Sequence, residues 1–259
     1  MKRTVWGILA GVCLLATMSA WTPTALAQNE VKEKPPMYSY VSFWNIPRAQ
    51  WADMDKADAA DQKILEKALA DGTIVGYGTD QNLVHQPDGG THDDWWSAMS
   101  MAGILNVLDK FYKSGTPTSP VLASATKHSD GVFVSRFYNW RPGSYKGAYT
   151  RVAYYKLKND APDDAVETLS KNLIVPVLEK LLADGSLIEY EIDTEAIHTE
   201  APGAFWVDII STGADGLDKL NAALRDAAKM NPLRGAAFES MVDSTAHRDY
   251  LSSSTVTYK

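Results

Sequence analysis

One segment of this chain occurs twice, and that repetition constrains the fold more than any other feature. Ile64-Leu-Glu-Lys-Ala-Leu-Ala-Asp-Gly-Thr-Ile-Val-Gly-Tyr77 returns as Val177-Leu-Glu-Lys-Leu-Leu-Ala-Asp-Gly-Ser-Leu-Ile-Glu-Tyr190, 113 residues later. The register holds through Asp80/Asp193 to His85/His198, and 10 of the 22 positions from Ile64 to His85 are identical. A second match pairs Thr126, His128 and Asp130 with Thr245, His247 and Asp249. Two local matches at similar displacement imply a duplicated unit of roughly 110 residues. Two copies are too few for a solenoid.

Each copy reads in the same order. Tyr38 to Ile46 alternates and is rich in aromatics, as a strand does. Trp51 to Ala70 has helical spacing and stops at Asp71-Gly72, a glycine cap. Thr73 to Thr79 and Thr91 to Ser97 read as strands, Met99 to Tyr112 as a helix, and Val132 to Trp140 as a fourth strand. The second copy gives Tyr149 to Leu157, Asp163 to Ala183, Ser186 to Ile192, Ala204 to Ile210, Gly216 to Lys229 and Ser253 to Tyr258. Pro176 falls inside the first helix of that copy, where loss of an i→i−4 bond predicts a kink or a late start.

The order β-α-β-β-α-β is the split βαβ or ferredoxin-like unit, an antiparallel sheet with helices on one face only. The bare face needs a cover, and two units in one chain can cover each other sheet against sheet. The expected class is therefore α+β, a barrel with its helices outside. The first repeat is placed at residues 37–145 and the second at 146–259. On this element order and the duplicated helix–Asp-Gly–strand motif, the chain from Met37 to Lys259 resembles the dimeric α+β barrel superfamily in its fused, two-repeat form. The resemblance implies a barrel that one chain can close by itself, with further association optional. It also implies a wide range of roles: cofactor-free monooxygenases, cyclases, isomerases, haem proteins and stress-related proteins. A fold of this kind constrains chemistry weakly.

The first 27 residues read as a secretory signal peptide. Lys2 and Arg3 precede an apolar run from Val5 to Ala20, and Ala25-Leu26-Ala27 is an A-x-A cleavage site. Residues 28–36 follow as a charged, mobile tether ending in Pro35-Pro36. The expected location is periplasmic or secreted, with no membrane span. The one cysteine, Cys13, lies in the leader. The mature chain then has no disulfide, thiolate nucleophile or Cys-ligated zinc. With 25 Lys and Arg against 32 Asp and Glu, and no basic run, the chain is a poor nucleic-acid binder. No G-x-G-x-x-G, P-loop or G-x-S-x-G motif occurs.

Faces follow from strand alternation, taking the more apolar side as helix-covered. On that rule Val41, Phe43, Val152 and Tyr154 meet helices. Tyr40, Ser42 and Trp44, and likewise Arg151, Ala153 and Tyr155, point inward. Aligning Trp96 with Trp206 places His92, Asp94 and Trp96 on one interior line and Trp206 and Asp208 on another. Val134, Arg136, Tyr138 and Trp140 complete the wall, with Glu189 and Glu191 or else Tyr190 from the neighbouring strand. Apolar walls with a few converging polar groups suit a small-molecule site. The alternative is a satisfied internal network, with Arg136 or Arg151 paired to Asp94 or Asp208.

Candidate catalytic residues are thus His92, Asp94, Arg136, Tyr138 and Arg151. Trp44, Trp96, Tyr155, Trp206 and Asp208 are the candidate ligand contacts. A His92–Asp94 pair on one strand face would suit proton transfer, and an arginine would hold an oxyanion. The matched His85/His198 and His128/His247 suit a shared structural task at the loops, with haem or metal ligation as the alternative. The reading is an exported protein with a pocket for a small aromatic or apolar molecule, working without a cofactor as a monooxygenase, cyclase or isomerase. The competing reading is a noncatalytic ligand-binding or stress-related barrel, haem included.

Overall fold

A computed structural model describes residues 31–86, 89–200 and 202–259. Residues 1–27, read from the sequence as a leader with a cleavage site, lie outside the described residues. The first repeat comprises β1 (Met37–Asn45), α1 (Trp51–Ala70), β2 (Gly76–Asn82), β3 (His92–Ala98), α2 (Met101–Ser114), the short α3 (Pro120–Ala123) and β4 (Lys127–Trp140). The second comprises β5 (Gly143–Lys156), α4 (Ala165–Leu169), α5 (Val175–Ala183), β6 (Leu187–Glu195), β7 (Ala204–Ser211), α6 (Ala214–Met230), α7 (Pro232–Met241) and β8 (Arg248–Tyr258).

The repeated Asp-Gly is a chain-reversing cap. Gly72 and Gly185 take φ of +77° and +84°, which an L side chain rarely adopts. Asp71 Oδ1 accepts from the Thr73 amide at 3.0 Å, and Asp184 Oδ1 accepts from the Ser186 amide at 2.9 Å. Each aspartate thereby holds the turn that feeds the next strand. Pro176 acts as the sequence predicts. A π-helical turn, Ser170–Ile174, joins α4 to α5, and the proline sits in the first turn of α5, where its missing N–H leaves no bond broken.

The strand order is β1-β3-β2-β8-β5-β7-β6-β4, closing on itself, with every neighbouring pair antiparallel. Each half is the four-stranded sheet of a βαββαβ unit, and the seams are β2–β8 and β4–β6. The single chain closes an eight-stranded barrel with helices outside it. Under the helices of the first half, Leu65, Ala68, Ile104, Val107 and Phe111 pack on Tyr40, Tyr77 and Trp96. Under those of the second, Leu178, Leu181, Leu182 and Leu220 pack on Tyr190, Ile192, Phe205, Val207 and Ile209. Each such side chain taken out of water stabilises the fold by roughly 1.5–3 kcal/mol.

Residues 33–36, read from the sequence as a mobile tether, are tied to the barrel. The Lys34 amide donates to Arg136 O at 2.8 Å, and Tyr138 Oη donates to Pro35 O at 2.9 Å. Glu33 lies 3.7 Å from Arg136.

A carboxyl-lined barrel chamber

The barrel encloses a chamber of about 840 Å3, open at one end. Its aromatic walls are Phe43, Trp95, Phe133, Tyr154, Trp206 and Tyr250. The Phe133 and Tyr154 rings meet Trp206 at centroid distances of 4.9 and 5.4 Å. The far end is plugged by Trp140, Tyr145, Ile188, Val256 and Tyr258. Lys127, Lys156 and Arg248 also line the chamber, but all three stand at strand ends.

The interior polar groups are mainly acidic. Asp80 accepts from Trp95 Nε1 at 2.9 Å and from Ser254 Oγ. Glu191 accepts from Ser39 Oγ at 2.9 Å and more loosely from Ser97 Oγ at 3.4 Å. Asp93 accepts from Asn82 Nδ2 at 3.2 Å. Along β6 and β7 the carboxyls form a chain of neighbours: Glu189 beside Glu191, Glu191 beside Asp193, and Asp193 beside Asp208. Two acids can bond only if one keeps its proton. Burial, then mutual repulsion, drives Glu189 and Asp193 well above the usual carboxylate range. Glu191 and Asp208 are pushed up to about 7, chiefly by burial. Asp80 and Asp93 are raised for the same first reason.

The structure corrects the sequence-based faces. In β1 the inward residues are Ser39, Val41 and Phe43, while Tyr40, Ser42 and Trp44 lie under the helices. In β3 Asp93, Trp95 and Ser97 point in, so His92, Asp94 and Trp96 face out toward α1 and α2. In β5 Thr150, Val152, Tyr154 and Lys156 point in. Ala153 and Tyr155 join the outer core, and Arg151 reaches Asn221 of α6 at 2.9 Å. The apolar-outside rule inverted β1 because the helix-covered side of that strand is itself polar and aromatic, and aligning β5 with β1 carried the error into the second half.

Trp206 and Asp208 do line the chamber, and Glu189 and Glu191 lie on the inward face while Tyr190 packs outward. Pairing Trp96 with Trp206 was a misalignment. The 113-residue displacement matches Asp93 with Trp206, and His92, Asp94 and Trp96 with Phe205, Val207 and Ile209. In β4 a bulge between Ser135 and Phe137 reverses the alternation. Val134 therefore lies on the helix side, and Arg136 is exposed at the bulge. Tyr138 and Trp140 turn inward, opposite Glu191 and Glu189. Of the predicted catalytic and ligand-contact residues, then, only Trp206 and Asp208 line the chamber, while Tyr138 lies on the inward face with its hydroxyl on Pro35. His92, Asp94, Arg136, Arg151, Trp44, Trp96 and Tyr155 do neither. The sequence did carry a signal for Asp80 and Asp193, which recur at the repeat displacement.

His92 and Asp94 share a face, but it borders the helix layer. His92 meets Trp51 edge-on at 5.4 Å, and its Nδ1 is 3.0 Å from Thr91 Oγ1. Desolvation lowers its pKa, which disfavours the charged imidazolium. Asp94 lines a separate void of about 80 Å3 with Asp58, Asp61, Tyr40 and His128. Burial first, and Asp58 second, keep Asp94 far above the usual range.

His128 and His247 sit in matched surroundings. His128 stacks on Trp44 at 3.7 Å with Nε2 3.0 Å from Asp130, and His247 stacks on Tyr155 at 4.5 Å with Nε2 3.4 Å from Asp249. No imidazole of the described residues lines the large chamber, and His128 borders the small void. Among the described residues no helix is long and apolar enough to cross a membrane.

No family model and no curated protein matches the sequence. Solved structures do. A candidate monooxygenase from Lactobacillus acidophilus NCFM aligns over 87% of this chain and 97% of its own, at 10% identity and a TM-score of 0.58. A candidate monooxygenase from Fusobacterium nucleatum subsp. nucleatum aligns over 87% and 95%, at 9% identity and a TM-score of 0.61. A chlorite dismutase from Candidatus Nitrospira defluvii aligns over 86% and 92%, at 10% identity and a TM-score of 0.47. At such identities the likeness is one of fold, and it agrees with the closed eight-stranded barrel described above. The chain has the dimeric α+β barrel fold, with both ferredoxin-like halves fused into one polypeptide.

Proposed function

We propose that this is an exported small-molecule-binding protein whose site is the barrel chamber. The observation that carries the reading is the chamber itself, about 840 Å3, aromatic-walled, and open at one end. Ligand sites commonly run to about 300–1,000 Å3, with apolar walls and a few placed polar groups. A barrel interior needed only for stability would be filled with branched aliphatic side chains. Export rests on the leader sequence. Native mass spectrometry of protein recovered from the periplasm tests both parts. The expected species starts at Gln28 and retains a small molecule that Trp206→Ala loses. A chain that keeps Met1 to Ala27 overturns export. A retained molecule indifferent to Trp206→Ala overturns the site.

A second reading, proton-transfer catalysis, is favoured by Glu191 and Asp208, both pushed up to about 7. Carboxyls poised near neutrality exchange protons most effectively. On this reading Asp208→Asn abolishes turnover of the retained molecule while leaving it bound. Unchanged turnover removes the reading.

A further inference from the structure

We propose that the chamber's ligand is an organic cation, a protonated amine carried on an aromatic body. The inference rests on the chamber being a binding site and names the class of molecule it takes. Four strands send carboxyls inward: Asp80 from β2, Asp93 from β3, Glu189, Glu191 and Asp193 from β6, and Asp208 from β7. The basic side chains of the lining stand at the rim, on terminal residues of β4, β5 and β8. The acids thus come from the middle of the barrel wall and the bases of the lining from its strand ends.

Its hydrogen bonding is unfinished in the same sense. Glu189 Oε1 and Asp193 Oδ1 have no amide, amine or alcohol donor among the described residues, only neighbouring carboxyls, although each residue is only 2% exposed. Asp93 Oδ1 and Asp208 Oδ1, on residues of the chamber wall, are in the same state. Buried acceptors of this kind cost stability until a donor reaches them. An ammonium group supplies up to three donors and a positive charge together. The walls agree, because Trp206, Trp95 and Tyr250 line the chamber, and aromatic rings attract cations and bury an apolar body.

A bare metal ion fits less well. Among the described residues no three His, Cys, Asp or Glu side chains gather in metal-binding geometry, and the space is far larger than an ion needs. A neutral ligand could donate to the acceptors but brings no charge to offset theirs, and an anionic one adds to the repulsion. A cation also favours the ionised carboxyls, so its binding near neutral pH displaces protons from the acidic chain of β6 and β7.

Titration calorimetry on the processed chain, with tryptamine, tryptophol and indole-3-acetate as matched probes, tests the proposal. Tryptamine should bind at least about tenfold tighter than tryptophol. Its heat should vary with buffer ionisation enthalpy, in the sense of proton release. Glu191→Gln with Asp208→Asn should bring tryptamine down to the tryptophol level while the melting temperature holds or rises. Tryptophol or indole-3-acetate binding as tightly as tryptamine overturns the cation and leaves the chamber standing as a site. Binding of none of the three, in wild type and variant alike, overturns both.

Discussion

Ser39 donates to Glu191 at 2.9 Å across 152 residues of sequence, so a strand of the first repeat is hydrogen-bonded through the barrel interior to a strand of the second. The acceptor belongs to a run of neighbouring buried acids, and that crowding sets how the fold responds to pH.

The first prediction is that the protein gains stability as it is acidified from pH 8 to pH 5. Glu191, Asp208 and, under the helices, Asp58 are each pushed up to about 7, mainly by burial. A carboxyl raised in the fold favours the neutral form. Its stabilising contribution is complete below the ordinary range near 4 and is lost as pH rises through about 7. Asp80, Asp93, Asp94, Glu189 and Asp193 share the sign. His92, lowered by desolvation, opposes them below about 6.5. Thermal melts should show a midpoint several degrees higher at pH 5 than at pH 8. A flat or reversed profile contradicts the acid-filled interior.

Glu191→Gln should stabilise the protein at pH 8, on the order of 1–3 kcal/mol, and do little at pH 5. The amide still accepts from Ser39 and Ser97, removes one charge, and offers N–H groups to the neighbouring acids. Ser39→Ala should instead cost about 1 kcal/mol, by stripping a donor from a buried acceptor. Urea unfolding at the two pH values separates the cases. Equal destabilisation by both changes at pH 8 would show that Glu191 is a needed charge.

Gly78→Ala should destabilise by about 1–3 kcal/mol, the usual cost of overpacking a core. A Cβ at this position would stand 2.6 Å from the indole of Trp95, whose Nε1 is fixed on Asp80. The check is denaturant unfolding with Trp fluorescence. A neutral result would mean that the Trp95–Asp80 bond is not what holds the indole.

His92→Phe should fold normally and retain the chamber's ligand unchanged. The second repeat carries Phe205 at the matching place, fully buried against its helices, and His92 borders the outer layer. Melting and ligand retention together test this. Lost retention in a stably folded variant would move the functional site to the helix side.

The sequence by itself determined the duplication, the order of elements in each half, and therefore the barrel. A repeated Asp-Gly-Thr/Ser cap and two matched H-x-D segments are local chemistry, legible from one chain because φ preference and side-chain reach do not depend on distant residues. The place of Pro176 was legible for the same reason. Which side of each strand faces inward was decided only by the tertiary structure. In a single-faced sheet the apolar side marks the core, but here both sides are covered, one by helices and the other by the opposite sheet. Hydropathy then carries no sign, so Trp44, Trp96, Arg151 and Tyr155 could be placed on either side. The β4 bulge reversed the alternation again at Arg136, which no periodicity registers. The acidity of the chamber is likewise a tertiary property. Asp80, Asp93, Glu189, Glu191, Asp193 and Asp208 are scattered along the chain, and only barrel closure brings them into one low-dielectric space where each feels the others.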